Sequence, residues 1–330
     1  MPANLTPQYL EAEAKFRAAQ TTPEKLEALE EMLSVIPKHK GTERMQADIK
    51  RRIAKLRQKE KVRGGGRRGL EFHVEKEGAG QVAIAGPPNS GKSLLVRRLT
   101  GAEPEVAEYP FTTRRPLPGM MEYEDILVQL VDMPPIGRDA TDPWVLALAR
   151  AADAVVVVLD LAGGTILDDV ESVGHELART KVQLIAPGEE PTGECPIGTV
   201  FRPALIVANK ADVPGAQENL AIFRELYEPG LPIVPVAALT GDGLEELRTE
   251  IYRLLGVVRV YSKIPGKPPD RERPFVLKRG STVADLASAV HKDFTDRLRF
   301  ARVWGGNKPD GVMAGRDQEL EDGDIIELHG

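Results

Sequence analysis

The sequence predicts an α/β protein in three parts: a mostly parallel sheet with helices on both faces, a helical hairpin before it and a small β module after it. Three observations carry this. From Gln81 to Gly256, short β-branched runs alternate with helical stripes. GPPNSGKS, Gly86 to Ser93, sits between the run QVAIA and the stripe LLVRRL. The composition also shifts twice, at the glycine-rich GGGRRG and again after Val257.

Each part follows from local chemistry. Thr22 and Pro23 supply a cap and a first-turn proline, and Leu26, Leu29, Met32, Leu33 and Ile36 then recur at helical spacing. A second stripe, Met45, Ile49, Ile53 and Leu56, follows Pro37 and Gly41, so 1–69 reads as a hairpin and glycine linker. In 70–256 the pairs are QVAIAG and SLLVRRL, ILVQLVD and PWVLALARA, AVVVVLD and ILDDVESVGHEL, ALIVANK and ENLAIFREL, IVPVAAL and LEELRTEIYRLL. The segment 186–203 breaks this pattern with Pro, Gly and acids and reads as a surface hairpin or loop. In 257–330 the runs VVRVYS, FVLKR, FARVW and DIIELHG surround one helix, Thr282 to Phe294, which predicts a four-stranded sheet with a helix across it.

Composition narrows the function classes. The longest apolar run, AVVVVLDLA, is short and interrupted by Asp160, so it reads as a buried strand rather than a membrane span. A single cysteine, Cys195, excludes an internal disulfide framework and fits a reducing, cytoplasmic setting. The net charge of −6 conceals Lys50 to Arg68, where ten Lys or Arg accompany one acid. That run is either a solvated helix face or a polyanion-binding patch.

GPPNSGKS has the spacing and the strand-to-helix setting of a phosphate-binding loop. Glycines let backbone N–H groups turn around an anion, and the helix start adds positive potential. The phosphate-binding candidates are Gly86, Pro87, Pro88, Asn89, Ser90, Gly91, Lys92, Ser93 and Leu94, with Lys92 on the β and γ phosphates and Ser93 on Mg²⁺. NKAD, Asn209 to Asp212, closes the run ALIVA: Asp212 can accept from N1–H and the exocyclic amine of guanine, Asn209 can bond the base, and the Lys210 stem can lie along its face. Such a turn alone is common. In order after a phosphate loop it selects guanine over adenine. Between them lie TTRRP and VDMPP. Thr113, a better candidate than its neighbour Thr112, would complete the Mg²⁺ shell when a γ-phosphate is present, and Asp132 would hold a metal-bound water. Catalysis on this reading rests on Lys92, Thr113 and Asp132. Arg114 and Arg115 are either solvated or a source of transition-state charge.

Together GPPNSGKS, EYPFTTRRP, VDMPP, LIVANKAD and VAALTGDGLEEL resemble the Obg and developmentally regulated GTP-binding (DRG) branch of GTPases. The last module, with VYSKIPGKPPD, STVADLASAVHKDF, FARVWGGN and LEDGDIIELHG, resembles a TGS domain, a β-grasp module, and IPKHKGTERMQADIKRRIAKLR is similar to the helical start of DRG-like proteins. The resemblance implies a P-loop GTPase domain, GTP binding with slow Mg²⁺-dependent hydrolysis, and association with ribosomes or structured RNA. Three departures bear on it. Pro135 stands where the family has the glycine of Asp-x-x-Gly, which removes a backbone donor to the γ-phosphate worth roughly 1.5–3 kcal/mol. Ile136 follows, where many GTPases place a water-orienting glutamine. Ala237, Ala238 and Leu239 replace the usual Ser-Ala near guanine O6, leaving the Ala238 N–H to serve there. Asn89 occupies a position at which some GTPases bind K⁺; it is equally a tolerant turn residue. An enzyme with slow turnover and a guanine-nucleotide sensor that has lost hydrolysis both fit, and Gly137 is the hinge candidate in either.

Overall fold

The computed structural model describes residues 15–16, 22–35, 49, 74–101, 116–137, 141–191, 195–227, 230–291, 297–305 and 309–330. They belong to two compact units, Met1–His73 and Val74–Gly330. In the first, helix α1 (Thr22–Val35) buries Leu29 and Met32 of the expected stripe together with Ala28, and Ile49 is buried as well. Ile36, Met45, Ile53, Leu56 and the basic run from Lys50 to Arg68 lie outside the described residues.

The second unit opens with a seven-stranded sheet. Its elements run β1 (Gln81–Ala85), α2 (Lys92–Thr100), β2 (Leu117–Tyr123), β3 (Ile126–Asp132), α3 (Pro143–Ala151), β4 (Ala154–Asp160), α4 (Ile166–Arg179), β5 (Val182–Ile185), β6 (Val200–Asn209), α5 (Ala216–Leu226), β7 (Ile233–Val236) and α6 (Leu244–Leu255). The strand order is β2-β3-β1-β4-β6-β5 with β7 also on β6, and every pair except β2–β3 is parallel. Strand alternation divides the core. Ala83 and Ala85 face α3, α4 and α5, while Val82 and Ile84 face α2 and α6. β4 is apolar nearly throughout because both of its faces are covered. β1, β3, β4 and β6 therefore deliver the ends of four strands, with Ile84 level with Asp132 and Asp160 level with Asn209, to one edge of the sheet.

Two strands of this sheet were hidden in the sequence. β2 contains Pro118 and Gly119, which look like a turn; as an edge strand it tolerates the proline, and Gly119 is held where a Cβ would come 2.8 Å from Thr100 Cγ2. β5 has only four residues. The 186–203 segment is also shorter as a loop than expected, because Val200 to Pro203 begin β6 and pair with β5.

A second sheet follows in the order β11-β10-β12-β8-β9, five strands rather than the four expected. Its strands are β8 (Val257–Ser262), β9 (Phe275–Lys278), β10 (Phe300–Trp304), β11 (Val312–Ala314) and β12 (Asp324–His329). The additional one, β11, is three residues long and was too brief to read. Helix α7 (Val283–Val290) buries Val283, Leu286 and Ala287 against Val258, Val260, Ala301, Val303 and Ile326. Its start is a capping box: the Asp285 N–H donates to Thr282 Oγ1 at 3.4 Å and the Thr282 N–H donates to Asp285 Oδ2 at 2.7 Å. The described helix ends at Val290, short of the expected Phe294, and 292–296 lie outside the described residues.

Candidate guanine nucleotide site

The loop from Gly86 to Gly91 leaves β1 and enters α2 at the strand-end edge. Backbone geometry explains its glycines. Gly86 has φ +148°, and a Cβ there would lie 2.3 Å from Val158 O; Gly91 has φ +91°, and a Cβ would lie 2.3 Å from Asn209 Nδ2. Asn89 also takes the left-handed region, at φ +61°, a conformation asparagine adopts more readily than most residues. Pro88 and Asn89 are exposed, Ser90 is buried and donates to Pro87 O at 3.0 Å, and Leu94 is half-buried. Gly91 caps α2 with no side-chain partner, so the first amides of the helix point into the loop.

Lys92 is 6% exposed and donates to Gly86 O at 3.1 Å and Pro87 O at 2.7 Å. Burial pushes its pKa down to about 8, against the pull of nearby Asp132. Ser93 Oγ donates to Asp132 Oδ2 at 2.6 Å, bridging α2 and the end of β3. The other oxygen, Asp132 Oδ1, is buried without a partner among the described residues, and burial raises the pKa of this carboxyl although Ser93 and Lys92 work in the opposite direction. A hydroxyl and an unsatisfied carboxylate oxygen side by side are a donor set of the kind a hydrated Mg²⁺ takes. Thr112, Thr113, Arg114 and Arg115 lie outside the described residues.

The segment after Asp132 is fastened down. Met133 N–H donates to Ile84 O at 3.2 Å and Ile136 N–H to Gly86 O at 3.0 Å, while both side chains are buried in the core beside α3 and α4. Ile136 is therefore an anchor. Pro135 is exposed and lines a cleft of about 260 Å³ with Pro87, Pro88, Gly137, Asp169 and Ser172. The first amide after Pro135 is already committed to the phosphate loop, which leaves the half-buried Gly137 as the next backbone donor along the chain.

At the other end of the site Asn209 is 2% exposed and acts as a tie: its Nδ2 donates to Ser90 O at 2.8 Å and its Oδ1 accepts from the Ala238 N–H at 3.1 Å. The sequence had suggested a bond from Asn209 to the base and an open Ala238 amide. In the structure the Ala238 amide is taken up by Asn209 Oδ1. Lys210, at φ +64°, pairs through its ammonium with Asp160 at the end of β4, and Asp160 Oδ1 accepts the Ala162 N–H at 2.8 Å. Asp160 was missed; its position at the end of a buried parallel strand was the available signal. Asp212 is exposed, Ala237 and Ala238 are buried, and Leu239 is 67% exposed with its carbonyl accepting from Arg98 of α2 at 2.7 Å. Asn209→Ala strands buried partners in two loops, so it should lower stability by roughly 1–3 kcal/mol and weaken GTP and GDP alike. Thermal melting with calorimetric titration of both nucleotides checks this; a loss confined to one nucleotide would contradict the tie.

The sheet that carries the site is also tied to the second sheet. β2 and β3 form an antiparallel hairpin whose far turn is Glu124 and Asp125. There Arg259 of β8, its side chain 11% exposed, donates through Nη1 to Glu124 and, at 3.0 Å, to Asp125 Oδ1. The same guanidinium reaches Asp322 Oδ2 at 2.8 Å, and Tyr261 donates to Asp125 while Tyr252 of α6 donates to Asp322. The Arg259 guanidinium lies 5.3 Å from the centroid of the Tyr252 ring, which stacks on Tyr123 with centroids 4.8 Å apart. The strand that ends at Asp132 thus begins at the second sheet.

Phosphate loop, Ser93–Asp132 bridge and Asn-Lys-x-Asp turn on one edge of a parallel sheet define a P-loop GTPase. Residues 81–187 match the family described as 50S ribosome-binding GTPase, and 258–329 match the TGS domain. A GTP-binding protein of Methanocaldococcus jannaschii of uncharacterised role is 32% identical over 92% of each chain. Developmentally-regulated G-protein 1 of Arabidopsis thaliana is 29% identical over 92% of this chain and 90% of its own, and Ribosome-interacting GTPase 1 of Saccharomyces cerevisiae 28% over 93% and 99%. The chain belongs to the family of developmentally regulated GTP-binding (DRG) proteins, GTPases that carry a TGS domain.

Proposed function

We propose that this protein is a slow GTPase whose nucleotide state governs association with ribosomes or structured RNA. Three parts serve this function: a helical hairpin over 1–69, the GTPase domain over 70–256 and the TGS domain over 257–330. The observation that carries the proposal is the Arg259 clamp. The β2–β3 hairpin starts just after the segment holding Thr113, ends at Asp132, and at its far turn is held by the TGS sheet. A shift of either end with the γ-phosphate therefore bears on the TGS domain. The Saccharomyces relative's name supports the ribosome as partner. Among the described residues no helix is long and apolar enough to cross a membrane. Cytoplasmic residence is part of the proposal.

Lys92 and the loop amides neutralise phosphate charge and hold the chain in line, the largest contribution available to phosphoryl transfer. Ser93, Thr113 and, through water, Asp132 would hold Mg²⁺, which supplies further charge neutralisation when bound. The buried, unpartnered Asp132 Oδ1 supports that assignment. With Ile136 locked in the core, the attacking water would be oriented by backbone groups, by a K⁺ that Asn89 would help hold, or by a partner, which accounts for the slow turnover proposed.

Pro135 favours a second reading, a nucleotide sensor without hydrolysis. Phosphate release should be measured for the wild type and Pro135→Gly in K⁺ and in Na⁺, with and without ribosomes. Slow wild-type release, faster in K⁺ or on ribosomes, with Pro135→Gly within about threefold, is the result expected of the enzyme. Absence of release under every condition sinks the enzymatic half, and a tenfold gain in turnover or GTP preference for Pro135→Gly establishes the sensor.

A further inference from the structure

The TGS sheet has one face against α7 and another that turns away from it, and the second face is unusual. Ala301, Val303 and Ala314 point into the core, so their neighbours Phe300, Arg302, Trp304 and Met313 point outward. At its β8 end this face carries Arg259 and Tyr261, held by the β2–β3 turn; its β10 end is open, and an open face of an antiparallel sheet is ordinarily polar. Here Phe300 stacks on His329 of β12, with ring centroids 4.5 Å apart and planes 11° from parallel, and Met313 is 67% exposed. The Lys263 ammonium sits 4.2 Å from the centre of the Trp304 ring. None of these rings belongs to the hydrophobic core, which closes on the other side.

The charges on this face are arranged around an anion rather than against one. Glu327, the acid placed between Lys263 and His329, is buried and bonded to both, and the Lys263 ammonium balances its charge. Arg302 lies across the ladder from Glu327 on one side and Met313 on the other and is exposed. A chain of net charge −6 thus carries cations beside stacked rings on a sheet surface. Planar rings take the faces of bases, which are accessible only when the bases are unpaired, and cations beside them take the phosphates.

We propose that this face binds unpaired nucleotides of RNA, with bases stacking on the Phe300–His329 pair and phosphates meeting Arg302 beside Lys263. Phe300 to Trp304 spans roughly 13 Å along β10, room for a short run of nucleotides rather than a duplex. The proposal deepens the reading above, since it names the RNA-contacting surface of the ribosome-associated state.

The test uses the full chain and a fluorescein-labelled single-stranded RNA 12-mer, compared with the same sequence in a duplex, by anisotropy across a salt series. The wild type should prefer the single strand by at least about tenfold. Phe300→Ala should weaken single-strand binding roughly ten- to hundredfold while Phe300→Tyr stays within about threefold. Arg302→Ala, an exposed change that leaves the fold alone, should reduce the salt slope by about 0.7. GTP turnover should be the same in all three. Equal affinity for single strand and duplex, or unchanged binding in both Phe300→Ala and Arg302→Ala, overturns the proposal. Loss of ribosome pelleting in Phe300→Ala without any oligonucleotide binding assigns the face to a protein and also overturns it. Single-strand binding that follows the expected variant pattern, without ribosome pelleting in either nucleotide state, supports this face and removes the proposed coupling.

Discussion

Lys92→Met abolishes GTP turnover and at the same time makes the protein more stable when no nucleotide is added. The first effect follows from removing the cation proposed to meet the β and γ phosphates; a loss of at least about a hundredfold in kcat/KM is expected. The second follows from the cost of burying that cation. Lys92 titrates at about 8 in the folded chain against 10.5 unfolded, chiefly because burial disfavours the charged form. Below pH 8 both states hold the proton and the folded state bears the burial cost, which methionine avoids. A gain on the order of 1–3 kcal/mol is expected, since the Gly86 and Pro87 carbonyls lose a donor in exchange. Between pH 8 and about 10 the unfolded chain binds the extra proton, so wild-type stability rises with pH in this window. Above about 10 the sign reverses, because Tyr227 and Tyr261, both held up to about 12 mainly by burial, keep their protons in the folded chain after the unfolded chain has released them. Urea melts of both proteins from pH 7 to 10 check this: the variant should lose the rise. A variant that still turns over GTP, or one that is less stable at every pH, would contradict the assignment.

What the sequence disclosed and what it concealed divide along one physical line. QVAIA followed by GPPNSGKS and a helical stripe is legible because strand, loop and helix are consecutive and each residue's task is local. The partnership of Ser93 with Asp132 crosses thirty-nine positions, yet it too is legible, because the chemistry of a phosphate site fixes which residue types must meet. Ile136 is different. Its sequence position suggested a vacant catalytic role, and only packing against α3 and α4 shows that the side chain is an anchor. Asn209 reads as a base contact, and only the structure adds the tie it makes between the loops around Ser90 and Ala238. Strand β2 was hidden by Pro118 and Gly119, residues that mark turns except at a sheet edge. Arg259 was the least legible of all. In VVRVYS it is one charge in an alternating strand, and its partners Glu124, Asp125 and Asp322 lie far away in sequence.

Arg259→Ala should uncouple the two sheets without touching the phosphate site. Three carboxylates lose their shared cation at once, and a buried partner is removed from an ion cluster, a change that costs about 3–5 kcal/mol when all groups are enclosed. Glu124 is 58% exposed and Asp322 36%, so water recovers part of this and about 2–4 kcal/mol is expected. For a module of this size that lowers its melting temperature by 10 °C or more, and the TGS domain should melt as a separate, earlier transition in calorimetry. Arg259→Lys should not restore the wild type, because a point charge cannot reproduce the fork that reaches the β2–β3 turn and Asp322 together. Acid gives a second readout. Burial works against the charged form of Asp322, but the Arg259 guanidinium, the Tyr252 hydroxyl and the Arg259 amide together hold its pKa below the usual carboxylate value. The stability it contributes is therefore present above the ordinary carboxylate range and is lost as pH falls through the depressed folded value, a loss the alanine variant should lack. GTP turnover without ribosomes should remain within about twofold, because Lys92, Ser93 and Asp132 are untouched. Ribosome pelleting, however, should stop distinguishing GTP from GDP. If pelleting of the variant still follows the nucleotide as it does in the wild type, the β2–β3 hairpin is a strut and not a coupling rod.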